Sequence, residues 1–248
     1  MKIGIIGIGS IGGLLARGLV AAGHQVSVAN SRGADSVRAF AEEIGATAAD
    51  VRGAVTGVDM IILSVPLPAL ASLPGDLFDA VPRDVPVVDT SNYYPGMRDP
   101  QIAELDAGEV ESLWVSRQIG RPVIKAFNNI LAYSLAELGR PEHAPGRLAI
   151  AVAGDDPAHK ALVCGIVNTL GFDPVDAGPL AQSWRHQPAT PAYCCDYDAD
   201  TMRKALAQAV QGEAPHKRDH LITQYPALGP APTHDQFIQL NRSANPIG

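Results

Sequence analysis

A glycine-rich segment near the start of the chain constrains the fold more than any other feature. The strand-like run Lys2-Ile3-Gly4-Ile5-Ile6 leads directly into Gly7-Ile8-Gly9-Ser10-Ile11-Gly12. In such a turn the first glycine permits a tight strand-to-helix connection, the second lets the backbone approach a pyrophosphate, and the third packs the helix on the sheet. The unpaired amides at the N-terminus of the helix favour an anion there. The pattern predicts a nucleotide-binding βαβ unit.

The residues after the turn strengthen this interpretation. Apolar residues recur at helical spacing from Ile11 to Ala22, Gly23 is placed to end the helix, and Gln25-Val26-Ser27-Val28-Ala29 alternates like a strand. A glycine-rich turn alone would be a weak indication, because many such turns only redirect the chain. With strand, helix and second strand all present, the sequence favours nucleotide binding over a purely structural turn.

The end of the second predicted strand indicates which dinucleotide binds. Sites that prefer NAD usually carry Asp or Glu there to hold the ribose 2′-hydroxyl, whereas this chain has Asn30-Ser31-Arg32. No carboxylate repels a 2′-phosphate, Ser31 can donate a hydrogen bond, and Arg32 offers a planar, permanently charged fork. We predict NADP(H) as the cofactor; the alternative is a solvated surface serine and arginine.

Composition excludes several other classes of protein. The chain has 248 residues, 46% of them hydrophobic, and a formal net charge of −7, which provides no basic field for nucleic acid or an acidic membrane surface. No run approaches the length of a membrane span, and the first strand begins almost at Met1, so we expect no membrane association and no cleaved signal. Three cysteines do not form a disulfide framework. We expect a cytoplasmic protein.

The remaining pattern predicts an α/β fold, a Rossmann-type doubly wound, mostly parallel sheet of about eight strands. Continuous apolar runs are typical of parallel strands covered on both faces. We assign residues 1–180 to an NADP-binding domain and residues 181–248 to a C-terminal helix and extended arm that packs on the body or on a partner subunit. The predicted strands span residues 2–6, 25–29, 47–48, 58–63, 86–90, 122–127, 148–153 and 172–176.

Several further motifs, in order and spacing, resemble the coenzyme F420-dependent NADP reductase family, over roughly residues 1–183. The shared elements, besides the glycine turn, are Asn30-Ser31-Arg32-Gly33, Ser64-Val65-Pro66, Val88-Asp89-Thr90-Ser91-Asn92, Lys125-Ala126-Phe127-Asn128 and Asp176-Ala177-Gly178-Pro179-Leu180. The resemblance implies direct hydride transfer between NADP(H) and a deazaflavin (F420) or flavin-like acceptor, a small-molecule second substrate. It also implies a homodimer and no catalytic acid–base pair.

The resemblance further implies a set of cofactor-binding residues. Ser64, Val65 and Pro66 would border the ribose and nicotinamide, while Ala126 and Asn128 would border the ring or its carboxamide, with Asn92 nearby. Each has a structural alternative, since the apolar ones could close a strand and Asn128 could cap a helix. The predicted cofactor-binding residues are Gly7, Ile8, Gly9, Ser10, Ile11, Gly12, Asn30, Ser31, Arg32, Ser64, Val65, Pro66, Asn92, Ala126 and Asn128.

Two other functions stay open at this point. The first keeps the NADPH site but reduces a small carbonyl or imine, with Lys125 or a tyrosine as proton donor; a lysine stem packed along the sheet is the simpler interpretation. The second is a non-catalytic NADPH-binding sensor.

His216 and His220 lack a third ligand at a spacing typical of metal sites, so we predict no metal site. The segment from Tyr93 to Asp99 and the region after Trp184 depart from the family pattern, so the acceptor is undetermined.

Overall fold

The computed structural model describes residues Met1–Gly248, which fold into eight strands, ten α-helices and four short 3₁₀ segments. The strands are β1 (Lys2–Ile6), β2 (Gln25–Ala29), β3 (Thr47–Ala48), β4 (Met60–Leu63), β5 (Val87–Asp89), β6 (Ile124–Lys125), β7 (Ala149–Val152) and β8 (Asp173–Asp176). The helices are α1 (Ser10–Ala21), α2 (Arg38–Ile44), α3 (Val51–Val55), α4 (Ala103–Asp106), α5 (Glu111–Ile119), α6 (Ala132–Glu137), α7 (Pro157–Thr169), α8 (Ala199–Gln208), α9 (Ala214–Gln224) and α10 (His234–Ala244). The 3₁₀ segments are Ala34–Val37, Leu67–Ser72, Leu180–His186 and Tyr225–Leu228.

The six-stranded sheet is parallel and has the order β3-β2-β1-β4-β5-β6. The order reverses between β1 and β4, which are neighbours in space but separated by two strands along the chain. Ile6 pairs with Ala29 on one side and with Leu63 on the other, so the carboxyl ends of three strands are level. A ligand crevice is expected beyond this edge, at the point where the order reverses.

Hydrophobic cores cover both faces of this sheet. On one face Ile3 and Ile5 of β1 pack with residues of α1, α2 and α7, and on the other Ile6 packs with residues of α3 and α5. The side chains of a strand alternate between its faces, so continuous apolar runs supply both cores. Gly4 allows close packing, because a Cβ atom there would lie 1.7 Å from the carbonyl oxygen of Ala54 in α3.

The α/β class predicted from sequence is confirmed, but the single sheet of about eight strands is wrong. Strands β7 and β8 form a separate parallel pair. An antiparallel bridge joins this pair to β6 through Lys125 N to Ala153 O at 2.8 Å and Ala153 N to Lys125 O at 3.0 Å. Because the chain direction reverses at this bridge, the parallel ladder does not continue beyond β6.

The C-terminal segment is helical where the sequence analysis expects an extended arm. Helix α8 was predicted, but α9 and α10 were not. Thr233 caps α10 through a reciprocal capping box with Gln236, whose spacing is present in the sequence. Helix α9 buries only Leu221 and has weak apolar periodicity, whereas α10 is amphipathic and buries Ile238 and Asn241. The boundary at residue 180 between a domain and an appendage stays a prediction.

Candidate functional site

The glycine turn between β1 and α1 has the close contacts that its sequence predicts. Gly7 has a φ of 101°, and a Cβ atom there would lie 2.1 Å from the carbonyl oxygen of Ser64. At Gly12 a Cβ atom would lie 2.0 Å from the carbonyl oxygen of Gly7. Gly9 caps α1 without a side chain and faces open space. The first amides of α1 therefore border a space that an anion can approach without meeting a side chain.

Beyond the ends of β1, β2 and β4 lies a cavity of about 470 Å³, which we call the β2-side cavity. Its only ionisable lining residue is Arg32. Nine of the predicted residues line it. They are Gly7, Ile8, Gly9, Asn30, Ser31, Arg32, Ser64, Val65 and Pro66.

The loop after β2 holds its arginine free of protein partners. Asn30 Oδ1 accepts hydrogen bonds from Arg32 N at 2.8 Å and from Ser36 Oγ at 2.7 Å, so the Asn30 side chain shapes the loop. Asp35, the nearest acid in sequence, forms an ion pair with Arg38 instead. The guanidinium of Arg32 makes no ion pair and no hydrogen bond within the chain. It is an exposed, uncompensated cation at the rim of the β2-side cavity.

A second cavity, of about 240 Å³, lies beyond the ends of β4 and β5; we call it the β5-side cavity. It shares four residues, Gly9, Ser64, Val65 and Pro66, with the β2-side cavity, so the two form one crevice along the sheet edge. Its only ionisable lining residue is Arg98, which sequence reasoning did not single out. The other lining residues are Ser10, Ile11, Thr90, Ser91 and Asn92.

Of the remaining predicted residues, Ala126 and Asn128 lie behind the crevice and Gly12 lies beneath it. Ala126 is part of the hydrophobic core, and Asn128 is 2% exposed. Neither lines the two cavities, so a direct contact with the dinucleotide stays a prediction for both. Gly12 acts through packing, as its close contact with Gly7 requires.

A buried polar network connects the crevice with the C-terminal segment. Asn128 Nδ2 donates to Asn92 Oδ1 at 3.1 Å and to the carbonyl oxygen of His186 at 2.7 Å. Asn92 Nδ2 donates in turn to the carbonyl oxygen of Asn128 and to the hydroxyl of Tyr193, which also pairs with the hydroxyl of Tyr94. Burial lowers the pKa of His186 to about 3, so its ring is neutral. The polar groups of Asn92 are thus already bonded within the protein.

Lys125 is wholly buried under the same strand ends. Its Nζ donates to Asp89 Oδ2 at 3.0 Å and to the carbonyl oxygen of Ser91. Asp89 also accepts from Ser91 N, Ser91 Oγ and Ser112 Oγ at 2.9, 2.6 and 2.8 Å. Both charged side chains are 0% exposed. The pair anchors the loop that carries Thr90, Ser91 and Asn92, and the ammonium group does not reach the crevice.

A separate small cavity, about 80 Å³ in volume, lies between α5 and the C-terminal segment. Glu111, at the start of α5, lines it and has one carboxyl oxygen, Oε2, without a partner. Burial raises the pKa of Glu111 to about 7, although the charge of Lys125 acts in the opposite direction. From the sequence, Glu111 is only an acidic residue in the first turn of a helix, a position where such residues are favoured by the helix dipole and usually exposed. Its burial was therefore not predictable from the sequence.

No group of three or more His, Cys, Asp and Glu side chains has the arrangement of a metal site. Cys164, Cys194 and Cys195 are free thiols, and burial raises the pKa of all three. None of the helices is both long and apolar enough to cross a bilayer.

Comparisons with known proteins agree with the fold. A profile of the family described as NADP oxidoreductase, coenzyme F420-dependent, matches residues 2–93. The chain is 49% identical to the Escherichia coli (strain K12) protein YjhV over 125 residues, which cover 50% of this chain and 84% of YjhV. The crystal structure of the hypothetical protein SMa0349 from Sinorhizobium meliloti is 31% identical, with a TM-score of 0.61, and the match covers 75% of this chain and 89% of that one.

A further similar fold is that of a provisionally assigned F420-dependent NADP reductase from Arthrobacter sp. FB24, with 21% identity and a TM-score of 0.59. That match covers 74% of this chain and 87% of the other. The chain is thus an NADP-dependent oxidoreductase built on a Rossmann-type sheet. It belongs to the family of coenzyme F420-dependent NADP oxidoreductases.

Proposed function

We propose that the protein transfers a hydride between NADP(H), bound along the crevice, and a flat deazaflavin or flavin acceptor that stacks at the β5-side cavity. The glycine turn and the N-terminus of α1 would hold the pyrophosphate, and Ser31 with Arg32 would hold the 2′-phosphate. The nicotinamide would then extend past Ser64, Val65 and Pro66 toward the end of β5. This arrangement follows the order of the strand ends around the sheet reversal.

The observation that carries the proposal is the lining of the β5-side cavity, which consists of hydroxyl, amide and apolar groups with one guanidinium. Arg98 is its only ionisable residue, and a guanidinium does not give up its proton in proteins. Reduction of a carbonyl or an imine needs a proton at the reacting centre as well as a hydride. A deazaflavin or flavin instead spreads the new charge over its ring and takes its proton from water.

The alternative proton donors of the carbonyl or imine hypothesis are occupied elsewhere. Lys125 Nζ is buried and bonded to Asp89 and Ser91. The hydroxyls of Tyr94 and Tyr193 pair with each other behind Asn92, and burial raises the pKa of both. The protein's part is therefore mainly to hold two flat rings in contact and exclude water.

The test is a photometric assay with NADPH and NADH in parallel, with F420, FMN and riboflavin as acceptors. We expect turnover with NADPH and at least one of these acceptors. Arg32→Ala should raise KM for NADPH by about ten- to a hundredfold, the value of a lost charge-assisted contact, and leave KM for NADH nearly unchanged.

Arg83→Ala is the matched control, because Arg83 is an exposed arginine outside the crevice. If NADPH binds without turnover of any flat acceptor, while a carbonyl or imine is reduced, the proposed acceptor class is wrong. An equal effect of Arg32→Ala on NADPH and NADH would refute the 2′-phosphate contact alone.

A further inference from the structure

Arg98 is held rigidly at the rim of the β5-side cavity by the short turn that carries it. Nε and Nη2 of Arg98 donate to the two carboxylate oxygens of Asp99, at 2.9 and 2.8 Å, and Nη2 also donates to the carbonyl oxygen of Asn92. The Asp99 side chain is 2% exposed and accepts a further bond from Tyr94 N. Three of the five guanidinium N–H groups are thus used within the protein.

The remaining edge of the guanidinium is free. Nη1 makes no hydrogen bond within the chain, and the Arg98 side chain is 42% exposed where it lines the cavity. The Tyr94 ring lies 5.3 Å from the guanidinium carbon and limits its movement. The structure therefore presents two unused, pre-oriented donors to whatever occupies this cavity, at little further cost in side-chain entropy.

The charges along the crevice indicate which kind of ligand the two unused N–H groups of Arg98 would bind. The crevice has one lining cation at each end, Arg32 and Arg98. The phosphates of NADP(H) have their own partners in the proposed arrangement, at Arg32 and at the first amides of α1. The nicotinamide end of the dinucleotide has no anionic group, and its ring is positive when oxidised. A cation at that end is explained by an anion on the second substrate.

We propose that Arg98 binds an anionic oxygen of the hydride acceptor and so selects acidic acceptors; this inference rests on the proposed function. When the hydride leaves NADPH, the nicotinamide becomes a cation, and the acceptor gains the hydride and one negative charge, with water supplying the later proton. An anionic oxygen is available from two sources. One is the ring carbonyl of the reduced acceptor, and the other is the phosphodiester and carboxylates of the F420 tail.

The experiment measures binding and turnover in the same variants. Arg98→Gln should weaken binding of oxidised F420 to the protein–NADP⁺ complex by about tenfold, measured by F420 fluorescence, and leave the Kd for NADP⁺ within about twofold. Arg32→Gln should do the reverse, weakening NADP⁺ and sparing the acceptor. Arg83→Gln, outside the crevice, should change neither.

The neutral deazaflavin without a tail separates the two sources of the anion. If Arg98→Gln impairs F420 but not the tailless compound, the contact is with the tail. If kcat falls for both compounds, the contact is with the ring oxygen that gains charge. A raised Kd for NADP⁺ would assign Arg98 to the pyrophosphate, and unchanged binding of all ligands together with an unchanged kcat would show that it is structural; either result overturns the inference.

Folding effects are separated by a second variant, because Arg98→Gln leaves Asp99 buried without its cation. The double variant Arg98→Gln/Asp99→Asn removes both charges and retains hydrogen-bonding groups, and we expect it to keep the acceptor defect with a Tm close to that of the wild type. Recovery of acceptor binding in the double variant would contradict the inference. Failure of wild-type protein to bind any flat acceptor would instead refute the proposed function, and this inference with it.

Discussion

Replacement of Lys125 by methionine tests whether this lysine stabilises the fold or donates a proton. Lys125 and Asp89 are both 0% exposed, and Nζ lies 3.0 Å from Asp89 Oδ2. Removing one partner of a buried ion pair typically costs about 3–5 kcal/mol, because the other charge is left without compensation. Asp89 keeps three donors, from Ser91 and Ser112, so we expect a loss near the lower limit, about 3 kcal/mol.

For a chain of this size, a loss of about 3 kcal/mol lowers Tm by about 6–12 °C. The assay is thermal and urea unfolding, followed by F420 or FMN turnover at a temperature where the variant is fully folded. We expect the fold to weaken and turnover per folded molecule to change little. Lys204→Met, at an exposed lysine without an ion pair, should leave Tm unchanged. Lys125→Met/Asp89→Asn, which removes both charges, should recover part of the lost stability.

The result that would refute this reasoning is a Lys125→Met variant with the Tm of the wild type and little turnover. If its residual activity also had an altered pH profile, Lys125 would be a proton donor to a carbonyl or imine. That outcome would contradict the burial of Nζ beneath Ser91 and would overturn the proposed acceptor class.

Two further predictions concern Glu111 and the glycine turn. Because burial raises the pKa of Glu111 to about 7 from 4.5, the folded state retains a proton that the unfolded state loses, so stability should decrease as pH rises from about 4.5 to 7. In urea unfolding, Glu111→Gln should remove this dependence of stability on pH and should be more stable than the wild type above pH 7. Glu137→Gln, at an exposed glutamate, should have neither effect. If Glu111→Gln retained the pH dependence, Glu111 would not be its source. Gly12→Ala places a Cβ atom 2.0 Å from Gly7 O, so NADP⁺ binding measured by calorimetry should weaken at least tenfold. Gly165→Ala in α7, where a Cβ atom meets nothing within 4 Å, should retain the affinity, and equal affinities of the two variants would contradict the packing argument.

Much of the lining of the β2-side cavity was predictable from sequence, because its determinants are local. The turn at Gly7 and the packing at Gly12 are backbone requirements that few residues other than glycine meet. The residue type at position 32, following a strand, decides whether a phosphate is attracted or repelled. The parallel sheet follows from apolar runs that serve two cores.

The β5-side cavity depended on tertiary structure, because its residues meet only after folding. Arg98 belongs to a surface turn whose place beside Gly9 and Ser64 follows from the packing of the whole sheet edge. The contacts among Asn92, Asn128 and His186 join segments far apart in the chain, and no periodicity encodes them. In the same way, the sequence predicts only that Lys125 lies in a strand beside the site. Its burial against Asp89 in the structure shows that its ammonium group is paired within the protein.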